Sequence, residues 1–484
     1  MNSIEFHETF SNMVLKYFLL SILLVLSILT KAEIKVNSVL GDNMVLQRNT
    51  SVKIWGKANP NEKITVKANW NKLTIKTVCN DKGDWIVKMS TTDAGGPYTI
   101  IISSNKEKVL LKNILLGEVW LCSGQSNMEM PIEGFGYQPI NDCVDILLDA
   151  DNNNIRLFNL KKAAVDTAQE NCKGTWAVAS TESVLKFSAV GYLFAKQLQK
   201  KLNVPIGIIC SSWGGSRIEA WMDSKTISNF PDALKQTAQE STLEYQYASR
   251  LYNGMISPIL NSVFKGVLWY QGESNIVNSK DYAALMVGMV KNWRSNFNIG
   301  EFPFYFVEIA PYSYGNSSAI NSALLREAQL KAMSMIPNAG IVSTIDIGNE
   351  TWVHPPEKAI ISKRLSILAL SETYSIKGLL HKSPTYESMS IKDSTVTISF
   401  KNAEKGMTSF GKEVECFEIA GKDSVFYPAK LITLKNRKVE VYSDKVKIPV
   451  AVRYGFYNFP KTIGYLYNTA GLPLPSFRTD NFIK

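Results

Sequence analysis

Ser126 lies at the centre of a polar turn whose residue types are suited to acyl transfer. The turn reads C-S-G-Q-S-N-M-E-M from Cys122 to Met130 and follows a mostly apolar run, residues 114–121, that is typical of a buried strand. A strand that ends in a Gly-containing turn exposes a side chain at its carboxyl end, where open α/β sheets usually bind substrates. Serines in such turns are also common in ordinary loops. The local residues alone therefore leave nucleophile and plain turn as equal alternatives.

A serine nucleophile requires a base, and the chain offers few candidates. There are three histidines. His7 lies in an N-terminal stretch that we expect to be removed, and His381 lies in a polar context near the start of a β-rich region. His354 directly precedes two prolines and a predicted helix. A lone loop histidine is most often structural, but in a serine hydrolase His354 would be the base by near elimination. Two remaining histidines cannot form a three-histidine zinc site, and we expect no metal or cofactor.

Polar turns follow two other strand-like runs, at Gly214-Gly215 and at Gln271. The backbone N–H groups of Ser126 and of Gly214 or Gly215, with the side-chain amide of Gln271, are candidate donors to an oxyanion. Glycine suits this role because it lets the backbone approach the reacting carbonyl closely. The alternative is a tight turn at the glycines and, for Gln271 and Glu273, a satisfied hydrogen-bond network beneath the site.

Strands alternate with helices from residue 114 to about residue 370, which predicts a parallel sheet with helices on both faces. Residues 184–202 have helical apolar spacing, and residues 356–370 begin with a proline, which favours a helix start. The carboxyl ends of parallel strands meet at one edge, so the polar turns are expected to meet there. Ser126 does not lie in G-x-S-x-G, so the nucleophile elbow of α/β-hydrolases is not indicated.

The composition and the cysteines exclude several classes of protein. The chain is 45% hydrophobic and 20% charged, as in ordinary globular proteins, and the formal charge of +10 is spread along it. Without a basic block interleaved with aromatic residues, nucleic-acid binding is not expected. Six cysteines are few for a disulfide scaffold of this size. Cys143 and Cys172 are candidates for pairing, which the sequence leaves open, as it does the oligomeric state.

The N-terminus is typical of an export signal. Lys16 precedes an apolar run, residues 17–29, and a small-residue cleavage site ends at Ala32. An uncleaved anchor is the alternative, but the run is short for a membrane span. Residues before Met13 lack a basic start, so Met13 is a second candidate for the initiator. We expect an exported protein, periplasmic or extracellular, with no stable membrane anchor.

The chain is predicted to divide into four parts. Short alternating runs bounded by turn pairs predict β structure at both ends of the mature chain. The predicted parts are a signal peptide at 1–32, an N-terminal β-sandwich domain at 33–112, an α/β domain at 113–376 and a C-terminal β-rich region at 377–484.

Several linked motifs extend over nearly the whole mature chain. They are G-Q-S-N-M at 124–128, W-G-G-S-R-I-E-A-W at 213–221, W-Y-Q-G-E-S-N at 269–275, the His354-Pro355 segment, M-V-L-Q-R at 44–48, I-W-G at 54–56 and G-L-P-L-P-S-F-R-T-D at 471–480. Together they resemble the sialate O-acetylesterase family, a carbohydrate-esterase branch of the SGNH hydrolases.

The resemblance implies a flavodoxin-like, three-layer α/β/α esterase domain with β-sandwich-like regions on either side. It implies hydrolysis of acetyl esters on sugars without a metal. Ser126 matches the nucleophile and His354 the base, and the three donor sites named above match the oxyanion region. We expect Asn127 and Glu273 to support the site.

One position departs from the family pattern. SGNH enzymes usually carry the acid that orients the base two or three residues before the histidine, and here those positions are Trp352 and Thr351. The nearest upstream carboxylates are Glu350, which is one residue farther but has a longer arm, and Asp346, which lies at a strand end. A third possibility is a Ser–His dyad oriented by a backbone carbonyl. The sequence leaves these three alternatives open.

Several residues near the strand ends are candidates for contact with an acetylated carbohydrate. Trp213, Trp221, Trp269 and Tyr270 are equally suited to a sugar platform and to core packing. Arg217 is a candidate partner for a sialate carboxylate or a structural residue. Sialate and acetylated xylan compete as expected substrates. The other hypotheses are a carbohydrate-binding protein that has lost catalysis and a lipase-like SGNH enzyme.

Overall fold

The computed structural model describes residues 33–482, in which an α/β layer lies between two β-rich regions. The predicted signal peptide, residues 1–32, lies outside the described residues, and so do His7 and Met13. Across the described range, none of the helices combines the length and the apolar character needed to cross a membrane.

The N-terminal region consists of short strands whose side chains alternate between core and solvent. Its strands are β1 Lys35–Val36, β2 Val45–Gln47, β3 Ser51–Lys57, β4 Lys63–Ala68, β5 Thr74–Val78, β6 Asp84–Ser90 and β7 Gly95–Ser103. Strands β1, β3 and β6 form one sheet, and β4, β5 and β7 pair in another. Val52 and Ile54 of β3 share a core with Val66 of β4 and Ile102 of β7, so the two sheets pack face to face.

Strand β8, Lys108–Gly124, joins this region to the central layer. Its first half pairs with β2 and β7, and its second half is buried between two strands of the central sheet. The boundary predicted between residues 112 and 113 therefore falls inside a continuous strand. The strand that leads to Ser126 is held at both ends by neighbouring strands.

The central layer is a parallel sheet with one antiparallel edge strand. Its further strands are β9 Asn152–Asn159, β10 Trp176–Ala179, β11 Ile206–Ser212, β12 Gly266–Tyr270, β13 Phe304–Val307 and β14 Ala339–Val342. The order is β10-β9-β11-β8-β12-β13-β14, and only β10 runs antiparallel to its neighbour among the pairs of this path. Strand β8, which leads to Ser126, is therefore central, and the carboxyl ends of β8, β11 and β12 lie side by side.

Helices cover both faces of this sheet. They are α1 Ser126–Glu129, α2 Cys143–Leu148, α3 Thr181–Leu185, α4 Ala189–Leu202, α5 Ser224–Ile227, α6 Pro231–Glu240, α7 Ser279–Phe297, α8 Asn321–Met335 and α9 Lys358–Glu372. Short 3-10 turns span Ile218–Trp221, Glu244–Gln246, Ser257–Ile259 and Glu273–Asn278, and a π-helical turn spans Tyr252–Ile256. Helices α4 and α9 pack on one face, and α7 and α8 pack on the other. The predicted three-layer α/β/α fold is confirmed.

One predicted helix is divided in the structure. The run 184–202 was expected to be continuous, but α3 ends at Leu185 and α4 begins at Ala189. Ser188 separates them because its hydroxyl caps α4 by accepting from Gly191 N, 3.0 Å away, while donating to Met128 O at 2.6 Å. The break thus ties α4 to the turn that carries Ser126.

The C-terminal region is a seven-stranded antiparallel sheet with its own core. Its strands are β15 Thr385–Lys392, β16 Thr395–Lys401, β17 Met407–Thr408, β18 Phe417–Ala420, β19 Phe426–Lys435, β20 Lys438–Tyr442, β21 Ala451–Tyr454, β22 Tyr467–Asn468 and β23 Phe477–Arg478. The order is β15-β16-β20-β19-β18-β21-β23, and β17 pairs separately with β22.

The cysteines are all free thiols. Cys143 and Cys172, the candidates for a disulfide, are unpaired: Cys143 begins α2, whereas Cys172 packs with the N-terminal core. Cys122 and Cys210 are buried at neighbouring positions of β8 and β11.

Candidate active site

The nucleophile turn is built by a close approach between two strand ends. Gly124 has φ of +134°, and a Cβ at this position would lie 2.1 Å from the carbonyl oxygen of Tyr270. The next residue, Gln125, donates its N–H to the same carbonyl at 2.9 Å, and its side-chain oxygen accepts from Gly272 N at 3.2 Å. A glycine is therefore required here, and the contact fixes the turn at the end of β8 against the end of β12.

Ser126 and His354 form a hydrogen-bonded pair at this edge of the sheet. The Nε2 atom of His354 lies 2.8 Å from Ser126 Oγ. Ser126 is the first residue of α1 and is half-buried, while His354 lies in the loop between β14 and α9. A serine hydroxyl within hydrogen-bond reach of an imidazole is the geometry that general-base activation requires.

The other ring nitrogen of His354 contacts an amide. Its Nδ1 atom lies 2.7 Å from Gln138 Oε1. An amide oxygen accepts but does not donate, so Nδ1 carries the proton and Nε2 presents its lone pair to Ser126. The neutral ring is thereby held in the tautomer that takes a proton from the serine.

Gln138 is positioned by a tight turn that packs on the histidine loop. Phe135 and Gln138 exchange two backbone hydrogen bonds, at 3.0 and 2.9 Å, and the Phe135 ring packs edge-on against the His354 ring. Asn141 then donates through its backbone N–H to Pro356 O at 3.2 Å and through its side chain to Glu357 at 2.7 Å. The two loops therefore hold each other in register.

The carboxylates predicted to orient His354 do not contact it. Glu350 accepts from Ser317 Oγ at 2.6 Å and pairs with Lys461 at 3.3 Å, and these contacts lower the pKa of its carboxyl. Asp346 forms a two-pronged ion pair with Arg364, at 2.8 and 2.7 Å. Both carboxylates face strong donors elsewhere. The contact of His354 Nδ1 is with Gln138, and not with Glu350, Asp346 or a backbone carbonyl.

The environment of His354 keeps the imidazole neutral. Burial, and next the positive charge of Lys358, lower the pKa of His354 from 6.5 to about 4. Gln138, the partner of Nδ1, is an uncharged amide and does not oppose this shift as a carboxylate would. At neutral pH the ring is therefore almost wholly in its basic form.

The expected oxyanion donors differ in how free they are. The N–H of Ser126 opens α1 and has no acceptor within that helix. Gly214 lies close by, since a Cβ there would be 3.1 Å from Ser126 Cβ, but its N–H donates to Glu129 Oε2 at 2.6 Å. Gly215 has φ of +74°, which favours glycine and shapes this turn.

Gln271 belongs to a saturated network beneath the site rather than to an open oxyanion pocket. Its amide donates to Ser216 O at 3.1 Å and to Asn275 Oδ1 at 2.7 Å, while its oxygen accepts from Tyr282 at 2.8 Å. The side chain is fully buried. With both hydrogens already donated, Gln271 presents no free donor. These contacts fit the alternative interpretation of the motif, a satisfied hydrogen-bond network beneath the site.

A second buried network lies directly behind the nucleophile. Asn127 donates to Glu273 Oε1 at 2.5 Å and to Val353 O at 3.1 Å, and it accepts from Lys358 Nζ at 2.5 Å. All three side chains of this Glu273–Asn127–Lys358 network are buried. The predicted supporting residues Asn127 and Glu273 thus lie together, next to the Ser–His pair.

Of the predicted sugar-contacting aromatic residues, one reaches the surface. Trp221, Trp269 and Tyr270 are fully buried in the core, which excludes them from a platform in this structure. Trp213 is half-buried and stacks on Tyr245 with ring centres 5.0 Å apart. Trp213 lies in the turn beside Gly214, and Tyr245 lies in the 3-10 turn Glu244–Gln246.

The cations around this surface are already paired. Arg217 is 7% exposed and donates to Glu240 at 2.6 Å. Lys162 lies 5.4 Å from the centre of the Trp213 ring and pairs with Glu129 at 2.6 Å. Between residues 33 and 482, no three His, Cys, Asp or Glu side chains are grouped so that they could hold a metal ion.

Three residues of the site were missed by the sequence reasoning. Gln138 lies in a loop without a motif, and the absence of an acid before His354 was the single hint that another partner existed. Lys358 follows the histidine by four residues, and Glu129 lies inside the serine motif itself. No local pattern distinguishes these residues from surface side chains, because their contacts depend on loops that are far apart in the chain.

Comparisons with known proteins identify the family of this chain. The family model described as carbohydrate esterase, sialic acid-specific acetylesterase, matches residues 116–362. Sialate O-acetylesterase of Homo sapiens is 27% identical over 492 residues, which cover 91% of each chain, and that of Mus musculus is 25% identical over 507 residues. A crystal structure of a carbohydrate acetylesterase from Xanthomonas citri is 32% identical, with a TM-score of 0.85, and covers 93% of this chain and 100% of that one. The chain belongs to the family of carbohydrate esterases known as sialic acid-specific acetylesterases.

Proposed function

We propose that this carbohydrate esterase removes acetyl groups from sugar hydroxyls, sialate esters first, through a covalent acetyl-serine. The observation that carries the proposal is the chain of hydrogen bonds from Gln138 through His354 to Ser126, at 2.7 and 2.8 Å. It contains a nucleophile, a base in the required tautomer and a group that fixes the base. The sialate preference follows the mammalian relatives, whose names specify that ester.

The mechanism has two half-reactions. His354 Nε2 takes the proton of Ser126 as Oγ attacks the acetyl carbonyl, and the collapse of the tetrahedral intermediate breaks the ester bond. His354 then gives this proton to the departing sugar oxygen, and the acetyl group remains on Ser126. A water molecule gives a proton to His354 and attacks the acetyl-enzyme. The bond between Ser126 Oγ and the acetyl carbon breaks, His354 returns the proton to Ser126 Oγ, and acetate is released.

The oxyanion of each intermediate forms beside the first turn of α1. The N–H of Ser126 and the positive end of that turn are the donor group that the geometry supports best. Gly214 N–H becomes a second donor when the Glu129 carboxylate, which now accepts from it at 2.6 Å, moves away. Gln271 has no part in this step as long as its amide stays in the network beneath the site.

The proposal is tested by acetate release from a panel of O-acetylated sialic acids and acetylated xylan, measured for the wild type and for Ser126→Ala. We expect the wild type to release acetate from at least one of them and the variant to release none above background. Release by the variant at the wild-type rate would overturn the serine mechanism. Binding of sugar without any release by the wild type would instead identify a carbohydrate-binding protein that has lost catalysis.

A neutral acetylated polysaccharide is the second candidate substrate. It is favoured by the state of the cations near the stacked Trp213–Tyr245 pair. The exposed Lys162 is paired with Glu129, and the buried Arg217 is paired with Glu240, so neither is an unpaired cation that a sialate carboxylate would meet. The same panel separates the candidates, because rates on sialate and xylan esters are compared directly.

Export is also part of the proposal. It is supported by the apolar run at residues 17–29 and the cleavage site that ends at Ala32. Sequencing the N-terminus of the protein recovered outside the cytoplasm should give Glu33 as the first residue. Recovery in the cytoplasm with an intact N-terminus would contradict it.

A further inference from the structure

The position of Lys358 is energetically unfavourable for a charged side chain. Its side chain is fully buried, although it is the first residue of α9, where the helix dipole already concentrates positive charge. It also lies near His354, whose pKa its charge lowers. A methionine would fill the same space without these costs. A charged side chain kept at such a site suggests a use beyond packing.

The contacts of Lys358 show what it holds. Its Nζ atom donates to Asn127 Oδ1 at 2.5 Å and lies 5.3 Å from the centre of the Tyr270 ring. On the other side of the same amide, Asn127 Nδ2 donates to Glu273 Oε1 at 2.5 Å. The amide therefore lies between a cation and an acid, with its oxygen toward the first and its nitrogen toward the second.

This arrangement permits one orientation of the Asn127 amide. A flipped amide would point its N–H groups at the Lys358 ammonium and its oxygen at the Glu273 carboxylate, and both contacts would be repulsive. In the permitted orientation, the second hydrogen of Nδ2 reaches Val353 O at 3.1 Å. Val353 precedes His354, and Asn127 follows Ser126. The amide thus joins the loop of the base to the turn of the nucleophile.

We propose that Lys358 is a positioning residue that, together with Glu273, locks the Asn127 amide and so keeps His354 in register with Ser126. The inference rests on the serine mechanism proposed above and adds a residue to it. Lys358 does not contact the reacting atoms. It acts through Asn127 and through the field that it exerts on the imidazole.

The charges that face Lys358 define its influence on pH dependence. Glu273 faces it from the 3-10 turn after β12, Tyr270 from β12 and His354 from its own loop. Burial, and next the charge of Glu273, raise the pKa of Tyr314. Burial lowers the pKa of Lys358 to about 7, against the raising effect of Glu273. At the lower pH where His354 titrates, Lys358 is therefore charged and opposes protonation of the ring.

The test compares Lys358→Met with Lys363→Met, the same substitution at an exposed position of α9. Rates on p-nitrophenyl acetate are expressed per active serine, counted with a serine-directed phosphonate. We expect kcat of Lys358→Met to fall on the order of 10²-fold, the loss typical of a small misplacement of catalytic groups, with KM little changed. The acid limb of kcat/KM should move to higher pH, because a charge that disfavours the imidazolium is gone. Lys363→Met should match the wild type.

A double variant, Lys358→Met with Glu273→Gln, distinguishes a loss of positioning from a loss of stability. Removing both buried charges should restore the melting temperature lost in the single variant, since no uncompensated carboxylate remains. The rate per active serine should stay low, because the amide is no longer locked.

Two results would overturn the inference. One is that kcat per active serine in Lys358→Met equals that of the wild type. The other is that a smaller number of active serines accounts for the whole loss of rate, while the acid limb of the kcat/KM profile stays at its wild-type pH. Neither result affects the serine mechanism, which fails only if Ser126→Ala retains activity.

Discussion

The group that orients the base is an amide rather than a carboxylate. Gln138 Oε1 fixes the tautomer of His354 at 2.7 Å, as an acid would, but it brings no negative charge to stabilise the imidazolium formed during the reaction. In the usual triad, one aspartate both orients the histidine and stabilises its charged form. Gln138 can provide the orientation but not the charge stabilisation.

Substitutions at Gln138 should distinguish these functions. Gln138→Leu removes the acceptor, and we expect kcat/KM to fall roughly 10²-fold, which is less than the ~10⁴-fold loss when a charged acid is replaced in a serine protease. Gln138→Glu keeps an acceptor and adds a charge, so it should retain activity and move the acid limb of the pH profile upward. Steady-state rates on p-nitrophenyl acetate across pH measure both. An unchanged rate for Gln138→Leu would show that the ring needs no such partner.

The low pKa of His354 predicts activity at acidic pH. Catalysis needs the neutral imidazole, and burial together with Lys358 lowers the pKa of His354 to about 4. As pH falls, kcat/KM should therefore stay level through pH 6, where an ordinary histidine begins to lose its basic form, and decline only near pH 4. A pH profile of the wild type that declined near 6.5 would contradict the burial of this ring.

At this scale the sequence pointed to the two residues that form the hydrogen-bonded pair, but not to the partners of that pair. Ser126 and His354 were reached from a motif and from the scarcity of histidines. Gln138, by contrast, depends on a turn that folds back onto the histidine loop, and such a contact leaves no local pattern. Glu350 and Asp346 were the natural candidates by spacing, but each is satisfied by a cation or hydroxyl that only the fold brings near.

Among the elements, the end of β8 leaves the backbone little freedom. Gly124 approaches the Tyr270 carbonyl so closely that a Cβ would lie 2.1 Å from its oxygen. This contact sets the direction in which the chain leaves the sheet, and hence the position of Ser126 two residues later. Ser126 is thus placed by strand packing rather than by its own side-chain contacts.

Gly124→Ala should destabilise the fold as well as the site. A positive φ and a backbone clash together are expected to cost about 3 kcal/mol or more. Gly41→Ala is the matched control, because a Cβ there meets its nearest atom, Ser38 O, at 3.9 Å, and its effect should stay within about 0.5 kcal/mol. Urea unfolding followed by circular dichroism measures both free energies. Equal stability of the two variants would refute the close approach.

The sequence predicted which strand ends meet but not where their side chains point. Strand–helix alternation predicted that Ser126, Gly214 and Gln271 lie at one edge, and the structure places them there. Whether a strand-end residue faces the substrate or the layer beneath depends on one residue of register. That is why Gln271 and Trp269 are buried beneath the site although their motif was correctly located.

Across the whole molecule, the C-terminal region is fastened to the α/β layer by a buried arginine. Arg326 of α8 is fully buried and donates to Tyr457 O at 2.5 Å and to Ser476 Oγ at 3.1 Å. It also donates to Ser322 Oγ on its own helix at 3.1 Å. These contacts hold the end of the chain against a helix that packs on the catalytic sheet.

Arg326→Met should loosen this attachment. Leaving buried carbonyl and hydroxyl groups without their donor is expected to cost about 2–4 kcal/mol. Arg437→Met is the control, since this exposed arginine pairs with Glu387 at 3.8 Å and the loss of such a pair has little effect. Thermal unfolding of the two variants gives the comparison. A melting temperature of Arg326→Met equal to that of the control would show that the C-terminal region is held by other contacts.

The sequence predicted β structure at both ends but not how these regions attach. Alternating apolar residues identify strands such as β16 and β20, yet they carry no information about the surface that a sheet packs on. In the same way, the change from short alternating strands to strand–helix alternation near residue 112 suggested a domain boundary. In the structure, β8 runs continuously through this position. Long-range packing of this kind is set by contacts far apart in the chain.

The central claim, that Ser126 carries the acetyl group between the two half-reactions, is tested most directly by trapping the intermediate. Wild-type protein mixed with p-nitrophenyl acetate, quenched in acid within the first turnover and digested, is examined by mass spectrometry. We predict one added acetyl group on the peptide that contains Ser126, absent from Ser126→Ala and accumulating in His354→Ala only slowly or not at all. Turnover without an acetylated Ser126 peptide, or an acetyl group on another residue that persists in Ser126→Ala, would contradict the mechanism.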